Sequence, residues 1–316
     1  MARAYGANAS LLAAFETTYG SPPAADYRKL PFVSTSLGSE QGLIANDLIG
    51  LGRDPSAPMR DVIKVEGDMV VPVDLNNFGL WLKALLGPAT VAGEDALTHT
   101  FTHTFVSGKS VLPSLALETG LSDIPAYFRS SGVMVNSMKV DLARSGAANA
   151  TLGLIAQGEA REGASIDAAP EALELVRFNQ FQGSIQKNGQ PLGNVVSAQL
   201  TYSNNLERIE TIRSDGKIDG ADPTVASLTG SLEVRFADTQ LIDAATDNTP
   251  LALTFSYTID AGRQLTFIAH EVYLPKPKLS ISGPGGIQAA FHGQAAKNTA
   301  TGRMFTVELT NHIAGY

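Results

Sequence analysis

No cysteine occurs among the 316 residues, which removes disulfides, thiolate metal ligands and cysteine nucleophiles together. Charge is sparse as well, at 17% of residues, and its balance of 31 acidic against 23 basic side chains leaves a net charge of -8. That excess of carboxylates argues against a nucleic-acid reader, because affinity for phosphate needs clustered Lys and Arg. Long apolar runs are missing: no window approaches the roughly 20 residues of a membrane helix, and Leu11 to Phe15 is too short for a secretory leader. The chain reads as soluble, made in the cytoplasm and without a membrane partner. Aromatic residues are few, and the single tryptophan, Trp81, reads as core or interface packing rather than part of a cofactor box.

What is present is enough to fold. Apolar residues make up 44%, ample for ordinary cores, and the usual prior of roughly 150 residues per domain points to two domains. An internal repeat points the same way. Val135 matches Val272, Leu142 matches Leu279, Gly146 matches Gly283 and Gln157 matches Gln294, all at one offset of 137 residues. A shared phase across several elements is what duplication leaves behind.

Taken in order, residues 1–30 read as an N-terminal arm with at most one short helix near residues 7–15. A first domain spans 31–160. Its strand at 62–73 leads to Asp74, a helix cap, and then to Leu75, Phe78, Leu82, Leu85 and Leu86 at helical spacing, stopped by Gly87-Pro88. Residues 90–111 form an insert, with the strand formers of 98–106 as one arm of a hairpin. Strands follow at 114–117 and on both sides of Gly146. A linker at 161–172 precedes a second domain, 173–316, which repeats the order. Asn188-Gly189 is its hairpin turn, Asp238 caps a shorter helix carrying Leu241, Ile242 and Ala245, and strands follow at 251–259 and around Gly283, including Lys278-Leu-Ser-Ile281. The fold class is mainly β: two tandem antiparallel β-sandwich or barrel domains, each with one flanking α-helix.

No constellation demands catalysis, metal or cofactor. His99 and His103 fall on one face of a strand, but a metal site needs a third ligand, and His270, His292 and His312 join only if the fold gathers them. Asp215-Gly-Lys-Ile-Asp-Gly220 resembles the start of a calcium loop, with Lys217 where a carboxylate or amide is wanted and Ala226 in place of the closing Glu. Ser184-Ile-Gln-Lys187 matches a nucleophile motif without its partner motifs.

Several short motifs carry a resemblance: Thr17-Thr-Tyr-Gly20, Leu30-Pro-Phe, Val65-Glu-Gly-Asp68 leading to Leu85-Leu-Gly87, His99-Thr-Phe101 and Leu112-Pro-Ser-Leu115. They look like the larger major tail tube proteins of long-tailed bacteriophages, well over residues 10–160 and by duplication beyond. The resemblance implies a structural virion protein without catalysis or cofactor. Its β domains would form rings, three duplicated chains making a pseudo-hexameric ring, stacked around a channel through which genomic DNA passes without specific binding. Partners would be the chain itself, a tape measure protein, a tail terminator and a distal tail protein, and assembly would take place in the host cytoplasm. The alternatives are a single-ring tail component or a ligand-binding β-sandwich. In the family, a long loop between early strands contacts the adjacent ring. By position that loop here is 45–60, with Asn46, Asp47, Arg53, Asp54 and Arg60, and its second-half counterpart is 208–222, with Arg208, Arg213, Asp215, Lys217 and Asp219. The 90–111 insert would be an added inter-ring hairpin or an outer decoration.

Overall fold

The computed structural model describes residues 3–279, 281 and 283–316. The chain is mainly β, as its strand patterning implies, and its antiparallel sheets fit the β-sandwich class. The first half contains β1 (Ala9–Phe15), β2 (Gly38–Ile44), β3 (Met59–Pro72), α1 (Phe78–Leu86), β4 (Phe101–Val106), β5 (Leu115–Leu121), β6 (Ala126–Leu142), β7 (Asn149–Ala156) and β8 (Gly158–Glu162). The second half contains β9 (Gly183–Lys187), β10 (Val195–Ser203), β11 (Ser227–Arg235), α2 (Gln240–Thr246), β12 (Leu251–Asp260), β13 (Arg263–Tyr273), β14 (Gln288–Ala295) and β15 (Phe305–Asn311). Strands Lys278-Leu-Ser-Ile281 were expected to form do not include Lys278 or Leu279, and Ser280 lies outside the described residues.

The 17-residue strand β6 serves two layers. Its first part lies between β5 and β8, in a sheet that continues through β1 to the short pair Arg28–Lys29. Past Gly132, where φ is 62°, the strand enters a second sheet, between β7 and β10. That second sheet runs β2, β3, β7, β6, β10, β11, β14 and so crosses from one half to the other. A third layer is built as β9, β12, β13, β15, β4. Between the layers runs one apolar cluster that draws on both halves, from Leu11 to Leu309. Tyr202 stacks on Phe305, and Phe305 on Phe267, with centroids 5.6 and 6.3 Å apart.

Several local expectations change. The stretch near residues 7–15 is helical only in the single 3-10 turn Gly6–Asn8; Ala9–Phe15 is a strand paired along its whole length with β5. An edge of β5 would otherwise stand open, and satisfying it outweighs local preference. The helix begins later than expected because Asp74 makes a turn before it: one carboxylate oxygen accepts from the Asn76 and Asn77 backbone N–H groups at 3.0 and 2.8 Å. Burial raises the Asp74 pKa above its ordinary value, and these hydrogen bonds work against the rise. Eight of nine residues of α1 are buried, as befits a helix apolar on all sides. It is enclosed rather than flanking, with the Tyr316 ring lying over Gly79 and the Lys83 ammonium donating to the Tyr316 carbonyl at 2.5 Å. The second helix, after Asp238, buries only Leu241.

The 90–111 insert contains the expected hairpin, Thr90–Val91 pairing with β4, and it is built into the fold rather than added outside it. Strand β4 lies between Thr90–Val91 and β15, with Phe105 in the core, because its strand formers complete the third layer. The expected linker is also held down. Buried Glu118 accepts from the Ser165 hydroxyl at 2.6 Å and the Ile166 N–H at 2.9 Å while pairing with Arg129 at 3.1 Å. Gly158–Glu162 within its approach is strand, paired to β6.

Asn204, in the second half, is 3% exposed. Its side-chain amide donates to the Leu85 carbonyl at the end of α1 and to the Val135 carbonyl in β6, at 2.9 and 3.0 Å. It thus satisfies one of the helix-end carbonyls that have no partner within a helix. Asn204→Ala should lower unfolding stability by about 1–3 kcal/mol, since buried acceptors lose their donor. A denaturant midpoint within error of the parent would show that the latch carries no stability.

Candidate functional site

The sheet that crosses both halves has two unlike faces. Strand alternation puts Val65, Met69 and Val71 of β3, Leu152 and Leu154 of β7, Leu200 and Tyr202 of β10, and Leu232 of β11 into the core, so their neighbours point the other way. The ladder registers place those neighbours in rows. One row reads Val70, Thr151, Lys139, Thr201, Thr229, Gln294. The next reads Asp68, Gly153, Ser137, Ser203, Ser227, and a third reads Asp141, Gln199, Ser231, His292. The face is a lawn of hydroxyls and amides carrying the carboxylates Glu66, Asp68, Asp141 and Glu233 against the cations Lys139 and Arg235. Side chains within it are mutually tied: the Gln199 amide donates to Asp141 at 2.8 Å, Lys139 stands 3.8 Å from the same carboxylate, and the Ser197 hydroxyl donates to Glu233 at 3.2 Å. The sequence alone had not located these residues; strand parity in 195–203 and 288–295 was the available signal.

Two glycines shape this sheet. A Cβ on Gly67 in β3 would lie 2.4 Å from the Ser36 carbonyl oxygen, and one on Gly230 in β11 would lie 2.6 Å from the Gln199 carbonyl oxygen. Both contacts are with backbone that cannot swing aside.

At one rim of the sheet the two loops singled out by position come together. The β2–β3 hairpin outruns the sheet: β7 pairs only with the stretch from Val65 to Pro72 of β3, whereas β2 continues to pair it back to Met59. Six residues of stem thus extend about 20 Å at the usual rise of a strand, topped by residues 45–58. This arm exposes Leu48, Ile49 and Leu51, at 64%, 98% and 61%, with Leu43, Ile44, Met59 and Val62. So many large apolar side chains exposed on one arm exceed the scattered single residues of an ordinary surface. Asp47, Arg53, Asp54 and Arg60 are exposed on it, and half-buried Asn46 turns the chain by accepting from the Leu48 N–H at 3.3 Å.

The second loop packs on the base of the arm. Its small hairpin pairs Leu206–Ile209 with Gly220–Pro223; Arg208 makes an ion pair with Glu66 of β3, and the Ile63 N–H donates to the Gly216 carbonyl at 3.1 Å. Arg213 clamps the loop by pairing with Asp215 and Asp219 at 2.9 and 2.6 Å. Hydrogen bonding to Arg213 holds the Asp215 carboxyl well below the usual carboxylate range. Lys217 lies across Gly158. The calcium-like pattern is therefore an arginine-stapled turn, and among the described residues no group of three or more His, Asp or Glu side chains is placed to hold a metal.

The histidines are dispersed. His103 is buried and bonded to the Ile313 carbonyl at 2.7 Å, with burial pushing its pKa down. His270 meets Thr306 at 2.8 Å, His292 stands on the polar face, and His312 reaches only the His99 carbonyl. Ser184 and Lys187 lie in β9, paired with β12. Among the described residues no helix is long and apolar enough to cross a membrane.

A family model describing phage tail tube proteins matches residues 6–295 of the chain. No curated protein sequence matches it.

Substituting Ala at Gly67 or Gly230 should each cost about 1–3 kcal/mol, the range for forced overpacking, whereas Gly163→Ala, with open space around its Cβ position, should be near neutral. Thermal melts of the three variants check this; equal melting temperatures would mean that the close strand approach is not a constraint.

Proposed function

The chain belongs to the phage tail tube protein family, and from that premise we propose that three copies close into a pseudo-hexameric ring whose stacking builds the tube. Membership carries a structural role in the virion tail and assembly with itself. The observation that carries the finer reading is the seven-stranded sheet with its outward polar face, formed jointly by both halves. Bent into a ring, such sheets would line a channel with hydroxyls, amides and a small excess of carboxylates. DNA is a polyanion, and a weakly acidic polar wall gives it no phosphate site to adhere to.

Trimeric stoichiometry rests on the two halves being duplicated tail tube domains, and the ladders support this. Leu115 opposes Val133 before a bulge to Leu117 opposite Ser130, and Leu251 opposes Val272 before a bulge to Leu253 opposite Ala269. Val133 and Val272 are 139 residues apart, and the same spacing relates β7 to β14. The offset of 137 is thus replaced by 139, and Leu279 and Gly283 are not strand counterparts of Leu142 and Gly146. Gly67 and Gly230, 163 residues apart, meet a neighbouring carbonyl in the same way. Three such chains supply six sheet units. A ring of head-to-tail contacts must close, and closure removes the open edges of the sheet.

Stacking falls to the rim. The apolar arm at 45–58 reaches beyond its own sheet, with Asn46, Asp47, Arg53, Asp54 and Arg60 around it, and the clamped loop carrying Arg208, Arg213, Asp215, Lys217 and Asp219 braces its base. Tape measure, terminator and distal tail proteins would meet the same ring surfaces in the host cytoplasm during assembly. A ligand-binding role finds little support in the core, where the apolar cavity between Leu200, Leu232, Phe255 and Phe291 measures about 20 Å³, room for a single water.

Negative-stain microscopy of the concentrated full chain tests the reading, with stacked rings of threefold-modulated, near-sixfold wall as the expected image. Replacing residues 46–57 by a short Gly-Ser turn should leave a folded chain that forms rings or monomers but no tubes. Tubes of unchanged length from that variant would remove the arm from stacking, and rings of the parent that never stack would favour a single-ring tail component.

A further inference from the structure

The chain is one strand short of matching its own internal pattern. In the first half, β6 continues past Val133 for nine residues to Leu142, filling the space between β7 and β10. In the second half, β13 stops at Tyr273. Its neighbour β14 is paired along its length with β11, but meets β13 only where Val272 and Tyr273 oppose Ala295 and Gln294. Among the described residues no strand covers the rest of that edge. At the far end of the same sheet, β2 and the short strand Ser34–Thr35 pair with β3 alone.

We infer that Leu274 to Leu279 completes the sheet only in the assembled ring, extending β13 along β14 and pairing antiparallel with residues 37–41 of the next copy, Lys276 opposite Glu40. The inference rests on the tube reading, and it takes its register from the β6–β10 ladder inside the chain. There Ser137 opposes Ser203, Lys139 opposes Thr201 and Val140 opposes Leu200. Carried across by the 139-residue spacing on one strand and the 163-residue spacing on the other, these pairs become Lys276 with Glu40, Lys278 with Gly38, and Leu279 with Leu37. Chemistry that played no part in the alignment fits the result. Lys276 and Lys278 are exposed, Glu40 is exposed on the far edge of the sheet, and Leu279, 38% exposed in the single chain, would meet Leu37, as Val140 meets Leu200 in the core.

Pro275 and Pro277 limit the ladder to bonds in one direction. In the internal ladder the Asn204 N–H donates to the Asn136 carbonyl at 2.7 Å, so Asn136 and the alternate residue Met138 turn their backbone groups toward β10. Their counterparts are the two prolines, which keep a carbonyl to accept with but have no N–H. In this pairing each proline accepts from the β2 edge through its carbonyl and donates nothing back, so the contact between copies carries fewer ladder bonds than the β6–β10 seam.

Absence of cysteine makes the test clean, since the only disulfides possible are engineered ones. Glu40→Cys with Lys276→Cys should, on oxidation of assembled tubes, convert the chain to covalent trimers through dimers. An equal mixture of the two single variants should stop at dimers, and unassembled chains should stay monomeric. Ser137→Cys with Ser203→Cys, the same register within one chain, reports that oxidation works. Lys276→Glu should block ring formation and Glu40→Lys with Lys276→Glu should restore it. Tubes that form normally while the 40–276 pair stays uncrosslinked, with the 137–203 control oxidised, overturn this pairing and leave the tube reading intact. Failure of the unaltered chain to form any ring or tube overturns the tube reading, and the pairing falls with it.

Discussion

The β6–β10 ladder is the constraint on which the rest depends. Backbone donors and acceptors of a buried strand must find partners, and β6 finds them in two layers because its chain passes from one sheet to another beyond Gly132. Its second part is the seam between the halves. With β10 on one side and β7 on the other, seven strands share one sheet, and the apolar cluster beneath has no boundary at the middle of the chain. The 90–111 insert strengthens the seam from the opposite layer, where β4 of the first half pairs with β15 of the second, and Asn204 ties α1 to the same place.

A sheet held this way presents chemistry by parity. Every second residue of β7, β10, β11 and β14 enters the core, so the rest form a surface whose composition is free of packing demands. In this chain that surface is hydroxyls and amides with carboxylates moderated by Lys139 and Arg235. The net charge of -8 therefore says less about a channel than the few charges that share this face. Most carboxylates lie elsewhere, several in use as structural acceptors: Glu118 anchors the 165–167 turn, Asp74 the entry to α1, and Asp215 and Asp219 the Arg213 staple.

The proposed contact surfaces lie at the sheet's rim and ends. The arm holds its apolar side chains away from the core by a paired stem, which costs little because the stem's backbone is satisfied by β2. The braced loop beside it limits how far that stem can swing. At the sheet ends, main-chain groups await partners of the same kind that already meet at the seam. In the proposed ring the seam within the chain is the pattern for the contact between copies.

Much of this was legible before the coordinates. Alternation in 62–73 and 251–259, helical spacing after Asp74, Gly87-Pro88 as a stop, and the Asn188-Gly189 turn are local signals, and an element of the expected type lies at each, the helix starting three residues later than Leu75 and the first strand three residues earlier than Val62. The short motifs were enough to indicate the family, and the resemblance, carried over by position, singled out both rim loops as candidates. Pairing was not legible, because a strand's sequence records which face is buried but not which neighbour supplies its hydrogen bonds. For that reason residues 9–15 joined a sheet instead of forming an arm, the insert became a seam strand, and α1 was enclosed rather than flanking. The sequence by itself determined the class of fold, the absence of thiol chemistry and the apolar core. Only the tertiary structure decided which carboxylates share a face and that Arg208 reaches Glu66, because those proximities come from ladder registers that join residues far apart in the chain.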